Sequence, residues 1–391
     1  MSSSTGMYEK LGVRRVINAW GVGTELGGWT PTQSVIRAMD EANSSQVEMI
    51  ELLQKSGDFI ADLLGVEAAL VTSGAAAAQA LSVAACMAGT DPDKIGRLPD
   101  TTSMKNEVVI QKPMRYMFDR CYTLTGATLV EAGNEQGCNA HDLESVIGAN
   151  TAAVAYYIQP EYNPSLYEFN PRPKAPMLSM AEVREIAHGL GVPVLGDACS
   201  QVFPLEYFRK SAQSADLVSF GGKYLGGPHS TGFVCGRRDL VEAVEAQGFV
   251  AYHYDGARAV GRAMKVDRQE IVGLVQAIDD WFNIDHEERI LEYHARFSTV
   301  REALSDFDSV STRIVEVDHY VPQMLLVEFD PSVVGKTAEE IRIELDTGNP
   351  RVWIGALNDE TLWVVVHTMN PGETEVVTER LRRAFTGGHT T

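Results

Sequence analysis

Lys223 stands in the run Gly221-Gly222-Lys223-Tyr224-Leu225-Gly226-Gly227-Pro228-His229-Ser230, between the short apolar stretches Leu217–Phe220 and Phe233–Cys235. Glycine before and after it lets the backbone turn sharply and lets a bulky group come close. A lysine held there out of bulk water has a lowered pKa, and its neutral amine is a nucleophile toward carbonyls. A surface hairpin with an incidental lysine is the plain alternative. A Walker phosphate loop is excluded, because Tyr224 follows the lysine instead of Ser or Thr, and Gly226, Gly227 and Pro228 replace the helix. A second group is Asp197, which ends Val192-Pro193-Val194-Leu195-Gly196-Asp197. A carboxylate at the end of a buried strand is costly unless paired. It can face a protonated ring nitrogen, or it can cap the next turn. A third is Ser73-Gly74-Ala75, where a strand ends and a helix opens. Free N–H groups and the positive dipole end of that helix form an anion site, and small residues admit a phosphate.

These groups meet only if several strand ends share one edge. The patterning predicts strands at Ala69–Thr72, Glu107–Ile110, Ala127–Val130, Ala152–Ile158 and Val192–Leu195, and then the two beside Lys223. Helices are predicted at 32–42, 47–64, 75–87, 141–147, 180–189 and 240–247. Such alternation implies an α/β chain with right-handed crossovers and a largely parallel sheet, whose ligands lie beyond the carboxyl ends of the strands. After about Ile271 the pattern changes to one long helix, 268–304, then strands near 323–329 and 362–367 and a helix at 373–385, a smaller α+β domain. The expected division is an N-terminal segment at 1–45, a large domain at 46–270 and a small domain at 271–391. Pro160–Pro176, rich in proline and aromatics, reads as a long loop or lid. The last residues, 387–391, read as frayed.

With 391 residues, 45% of them hydrophobic, the chain has enough apolar material for two domains. Its net charge of −20 opposes a non-specific nucleic-acid binder and an anionic membrane surface as partner. A locally basic pocket for a small anion remains compatible with it. Five scattered cysteines without a C-x-x-C pair suggest reduced thiols in a cytoplasmic protein, and no metal site is expected. The start lacks the layout of a signal peptide. The apolar run Ala68–Gly89 carries Ser73, Gly74, Gln79 and Ser82, and reads as a strand and buried helix, not a membrane span.

Phosphate site, strand-end Asp and Gly-flanked Lys, in that order, are the layout of a pyridoxal-phosphate enzyme. The chain resembles the fold type I superfamily of such enzymes and, within it, the group containing bacterial selenocysteine synthase and D-glucosaminate-6-phosphate ammonia-lyase. The resemblance is carried by Tyr8 to Val13, Arg15 to Ala19, Leu26-Gly27-Gly28, Val71 to Ala76, Gly196-Asp197-Ala198, Gly221-Gly222-Lys223 and Gly226-Gly227-Pro228. Gly261 to Val266 and Glu270 to Leu274 complete it. It covers most of the chain, is weakest after about residue 290, and is closer to the ammonia-lyase branch. It implies a large domain with a seven-stranded type of sheet, a smaller α+β domain, and sites built between subunits of a homodimer or larger homo-oligomer. Lys223 would form the Schiff base with pyridoxal 5'-phosphate and shuttle protons, and Asp197 would pair with the pyridine nitrogen. Ser73, Gly74, Ala75, Ser219 and Lys265 would serve the cofactor phosphate. Arg262 and Arg351 are candidates for substrate anions, with a solvated surface charge as the alternative for each cation. Arg115, Tyr116 and His229 are further substrate candidates.

Several positions depart from the family pattern. Met114 stands where lyase-like relatives tend to carry His, leaving Tyr116 and Tyr122 as candidates to stack on the cofactor ring. Phe220, His229 and Trp20 replace Ser, Gln and a small polar residue, and are expected around the substrate. His229 is either an added acid or base or a loop residue. The implied activity is α,β-elimination on a small amino acid, with an anionic 3-hydroxy amino acid as the candidate substrate, to a 2-keto acid and ammonia. Transamination, racemisation, aldol cleavage or selenium or sulfur transfer on the same cofactor are alternatives. A non-catalytic sensor or scaffold is the rival from another class.

Overall fold

The structure, a computed structural model, describes residues 6–158, 175–254, 258–316 and 323–386. The expected loop at 160–176, except its last two residues, and the chain end at 387–391 lie outside the described residues. The chain forms two compact units, which divide at Trp29/Thr30 and at Asn283/Ile284, where the sequence pattern suggests 45 and 270.

After β1 (Val16–Asn18), which belongs to the smaller unit, the chain builds the larger unit from β2 (Ala68–Thr72), β3 (Glu107–Gln111), β4 (Thr128–Ala132), β5 (Thr151–Tyr157), β6 (Val194–Asp197), β7 (Leu217–Gly221) and β8 (Gly232–Gly236). They form a seven-stranded sheet of order β2-β8-β7-β6-β5-β3-β4, in which only β8 is antiparallel to its neighbours. Every residue of β2, β6, β7 and β8 is buried, as expected of strands covered on both faces. β6 starts two residues later than the pattern suggests and includes Asp197. Pro193 has no N–H to donate, although its carbonyl accepts from Val154.

The segment around Lys223 does reverse the chain, but inside the sheet and not at its surface. β8 lies between β2 and β7, with Gly232 level with both Thr72 and Gly221. A side chain on Gly232 would come within 2.5 Å of the Phe220 carbonyl and 2.7 Å of the Ala75 nitrogen, so only glycine lets the reversal seat against the turn after β2. The alanine-rich helix Ala75–Ala88 covers the sheet with an almost entirely buried surface. Helix Gln33–Ser44, capped by the Thr32 hydroxyl, packs against helix Arg268–Asn283.

The long helix expected over 268–304 is two helices, Arg268–Asn283 and His286–Leu304. Asp285 ends the run by accepting hydrogen bonds from the Glu287 and Glu288 N–H groups, which makes it the cap of the second helix. Phe220 also departs from expectation. It is fully buried, 5.0 Å from both Phe208 and Phe233, and so belongs to the core and not to the substrate surroundings. Replacing it by Ala removes the ring from a close-packed layer. Phe220→Ala should cost about 3–5 kcal/mol of stability, read as a lower urea midpoint for the larger unit.

In the smaller unit β1 pairs in parallel with β11 (Arg351–Trp353). A four-stranded antiparallel sheet joins β9 (Val310–Glu316), β10 (Gln323–Phe329), β12 (Gly355–Asn358) and β13 (Thr361–Val364) in the order β12-β13-β10-β9. β9 is absent from the sequence reading because it is a half-exposed edge strand with few apolar residues. Helices His286–Leu304, Ala338–Thr347 and Glu373–Phe385 contribute Phe297, Ile341 and Leu381 to a core shared with Leu325 and Leu362. His367 lies just past β13, buried, with the Trp29 ring at 5.3 Å edge-on. Burial first, and then the charge of Arg289, push its pKa down to about 3. An unfolded histidine takes up its proton near pH 6.5. The unfolded chain therefore binds more protons between about pH 6.5 and about pH 3, and stability falls as pH is lowered through that window. Urea midpoints measured across it should decline less steeply in His367→Gln than in the wild type.

Candidate active site

Asp197 is the last residue of β6 and only 2% exposed. One carboxylate oxygen, Oδ1, accepts the Cys199 N–H at 3.0 Å, and the other, Oδ2, accepts the Tyr116 hydroxyl at 2.6 Å. The turn-capping bond left open by the sequence is thus present, and it occupies one oxygen only. Burial pushes the pKa of Asp197 up, while Tyr116, the Cys199 N–H and the Gln79 side chain each oppose that by favouring the ionised form. Gln79 is itself buried on helix Ala75–Ala88, one turn in from its start, and its Oε1 has no hydrogen-bond partner among the described residues. In the sequence it stands out only as a polar residue within an apolar run.

Beside Asp197, on the same edge, are the ends of β2 and β7. Gly74 has φ +95°, a conformation that strains any other residue, and no side chain caps the helix that follows. The first-turn N–H groups after it, at the half-buried Ser73-Gly74-Ala75 turn, therefore form an anion cradle. Lys223 lies in the one-turn 3-10 helix Gly222–Leu225, stopped by Gly226 in the left-handed region. The lysine is half-buried, with Nζ 5.2 Å from the centre of the Tyr224 ring. His229 is also half-buried, and burial, followed by the charge of Lys223, holds its pKa below the usual histidine value. Ser219 pairs with Asp197 in register, and its hydroxyl donates to the Gly196 carbonyl at 3.4 Å.

The loop after β3 supplies Tyr116, whose ring stacks on Tyr157 at 4.4 Å and 8°. Met114, at the position of the family histidine, is buried, and its sulfur accepts the Tyr157 N–H. Tyr157, at the end of β5, carries no signal in the sequence beyond an aromatic in a strand. The proposed cations differ in their engagements. Arg115 is paired with Asp119 and Glu131. Arg351, in the smaller unit, is held by Asp346, which also accepts the Trp353 indole N–H. Arg262 lies over the Tyr252 ring at 6.0 Å, and Lys265 is exposed.

These groups fit pyridoxal phosphate. An uncapped helix start suits its phosphate, a buried carboxylate suits its ring nitrogen, and an accessible lysine amine suits its aldehyde. Comparison with known proteins agrees with that class. The chain has a TM-score of 0.81 and 25% identity to the solved structure of D-glucosaminate-6-phosphate ammonia-lyase, covering 98% of this chain and 99% of that one. It is a pyridoxal-phosphate-dependent enzyme of fold type I. It belongs to the L-seryl-tRNA selenium transferase (SelA) family, whose model matches residues 38–292. It is 32% identical to a 5'-C-glycyluridine monooxygenase-decarboxylase of Streptomyces sp, over 97% of this chain and 92% of that protein. It is also 27% identical to the D-glucosaminate-6-phosphate ammonia lyase of Salmonella typhimurium, over 96% of this chain and 97% of that protein. Among the described residues no helix is long and apolar enough to cross a membrane.

The Gly74 geometry yields a direct expectation. A Cβ there meets no atom within 4 Å, so the penalty of Gly74→Ala is backbone strain and not a clash. Titrating the apo variant with pyridoxal phosphate should give a Kd raised about tenfold or more over wild type.

Proposed function

We propose that this enzyme is a lyase that carries out α,β-elimination on a small amino acid, releasing a 2-keto acid and ammonia. The observation that supports it most is the convergence of Asp197, Lys223 and a low-pKa His229 with the anion cradle on one sheet edge. The bound cofactor supplies a carbonyl for the substrate amine and a ring that accepts the electron pair left at the α-carbon. Asp197 holds negative charge at the ring-nitrogen end. Ser73, Gly74 and Ala75 orient the phosphate through backbone N–H groups, with Ser219 and Lys265 as additional partners. Lys223 Nζ, once free, takes the α-proton. The His229 imidazole, half-buried and within the field of Lys223, would relay the proton that Lys223 takes from the α-carbon to the departing β-hydroxyl. Arg115 and Arg351 are already neutralised by carboxylates, which makes Arg262 the better candidate for a substrate anion. We further place the enzyme in the cytoplasm as a homodimer or larger homo-oligomer, acting on small molecules.

A second reading follows from the 32% identical relative, whose name describes oxidation with loss of a carboxyl group. On that reading the α-carboxylate leaves instead of the α-proton, and oxygen is consumed. Both begin with the same amine and the same lysine. Holoenzyme is to be incubated with a panel of 3-hydroxy amino acids and amino sugar acids, with and without oxygen. Elimination predicts equal yields of ammonia and keto acid in both atmospheres, and His229→Gln slower by about 10²-fold or more. Carbon dioxide release that requires oxygen would favour the second reading and overturn the first.

A further inference from the structure

Asp197 is reached by two tyrosines in series. Tyr116 Oη lies 2.6 Å from Asp197 Oδ2 and 3.4 Å from Tyr122 Oη. A hydroxyl has one proton to give, and an ionised carboxylate can only accept. Tyr116 therefore gives its proton to Asp197 at 2.6 Å, and the Tyr122 oxygen, 3.4 Å away, is only a longer, competing acceptor. Tyr122 is fully buried, and the Tyr116 ring is clamped flat against Tyr157. The position of the Tyr116 hydroxyl is thus fixed by the packing of its own ring. With the Cys199 N–H on Oδ1, this orients the carboxylate before any ligand is present.

We propose that Tyr116 is a positioning residue for the cofactor: its hydroxyl, held by the stacking of its ring on Tyr157, is a standing donor that keeps Asp197 ionised and aimed for the ring nitrogen. The proposal rests on reading Asp197 as the partner of that nitrogen. Burying a carboxylate favours its neutral form, and a neutral Asp197 offers no negative charge to a protonated ring. Among the described residues, the titratable groups acting with Asp197 are Tyr116, Tyr122 and Cys121, with Asp119 acting on the latter two, and none of these is a cation. Hydrogen-bond donors must therefore do what a positive partner does elsewhere. Tyr116 supplies the shortest of those with a measured distance.

Tyr116→Phe keeps the ring stacked on Tyr157 and removes only the donor. Two measurements on full-length protein test the proposal. First, titration of the apo form with pyridoxal phosphate should show Kd raised about ten- to a hundredfold in Tyr116→Phe, the effect of one hydrogen bond to a charged group. Tyr122→Phe, which removes only a competing acceptor and leaves the donor to Asp197 in place, should show no rise. Second, the infrared band of a protonated carboxyl, assigned to Asp197 by its absence in Asp197→Asn, should appear at higher pH in apo Tyr116→Phe than in apo wild type. Unchanged Kd and an unmoved band in Tyr116→Phe would overturn the proposal. A wild-type protein that takes up no cofactor would overturn the functional reading instead, and the infrared comparison would still decide whether Tyr116 keeps Asp197 ionised.

Discussion

Asp197 concentrates the main physical difficulty of this structure, a carboxylate removed from water at the end of a central strand. Leaving such a charge without partners would favour its protonated form and would waste it as a counterion. The fold answers with donors from two directions, a backbone N–H two residues on and a tyrosine from the loop after β3, while the Gln79 side chain on the helix after β2 also favours the ionised form. Each lies on an element whose position the sheet order dictates. The carboxylate thus ties the geometry of the sheet edge to the chemistry that edge can support.

That edge depends equally on the antiparallel strand β8. A purely parallel sheet would carry the chain away from the edge after β7. The reversal at Gly222–Thr231 instead returns it between β2 and β7, holding the lysine turn against the anion cradle. Gly232 and Gly222 permit the closeness, since a Cβ on either would lie within about 2.5 Å of neighbouring atoms. Phe220 and Phe233 stack on each other beneath the turn, so the reversal rests on apolar packing. Substrate contacts can then vary in the surrounding loops without disturbing the lysine.

Much of this was legible in the residues. Strand-helix alternation is plain in the pattern, whereas the Gly-flanked Lys223, the strand-end Asp197 and the Ser73-Gly74-Ala75 turn are each ambiguous alone and become specific only as an ordered set. The donors to Asp197 were not legible. Tyr116 acts through a distance set by tertiary packing, and in sequence it looks like any other aromatic of a loop. The break at Asp285 was missed because helical periodicity persists on both sides of one capping residue. Phe220 was misplaced because position next to a functional turn says nothing of which face of the strand it occupies. Arg115 and Arg351 lost appeal as substrate clamps only once their carboxylate partners were seen.

The central claim is that Lys223 carries the cofactor, with Asp197 beneath it on the same edge. The decisive measurement is borohydride reduction of the purified holoenzyme, followed by peptide mapping by mass spectrometry. The account predicts a visible absorption band that bleaches on reduction, and a reduced pyridoxyl group attached at Lys223. Attachment at another lysine, or no band even after pyridoxal phosphate is added, would contradict it.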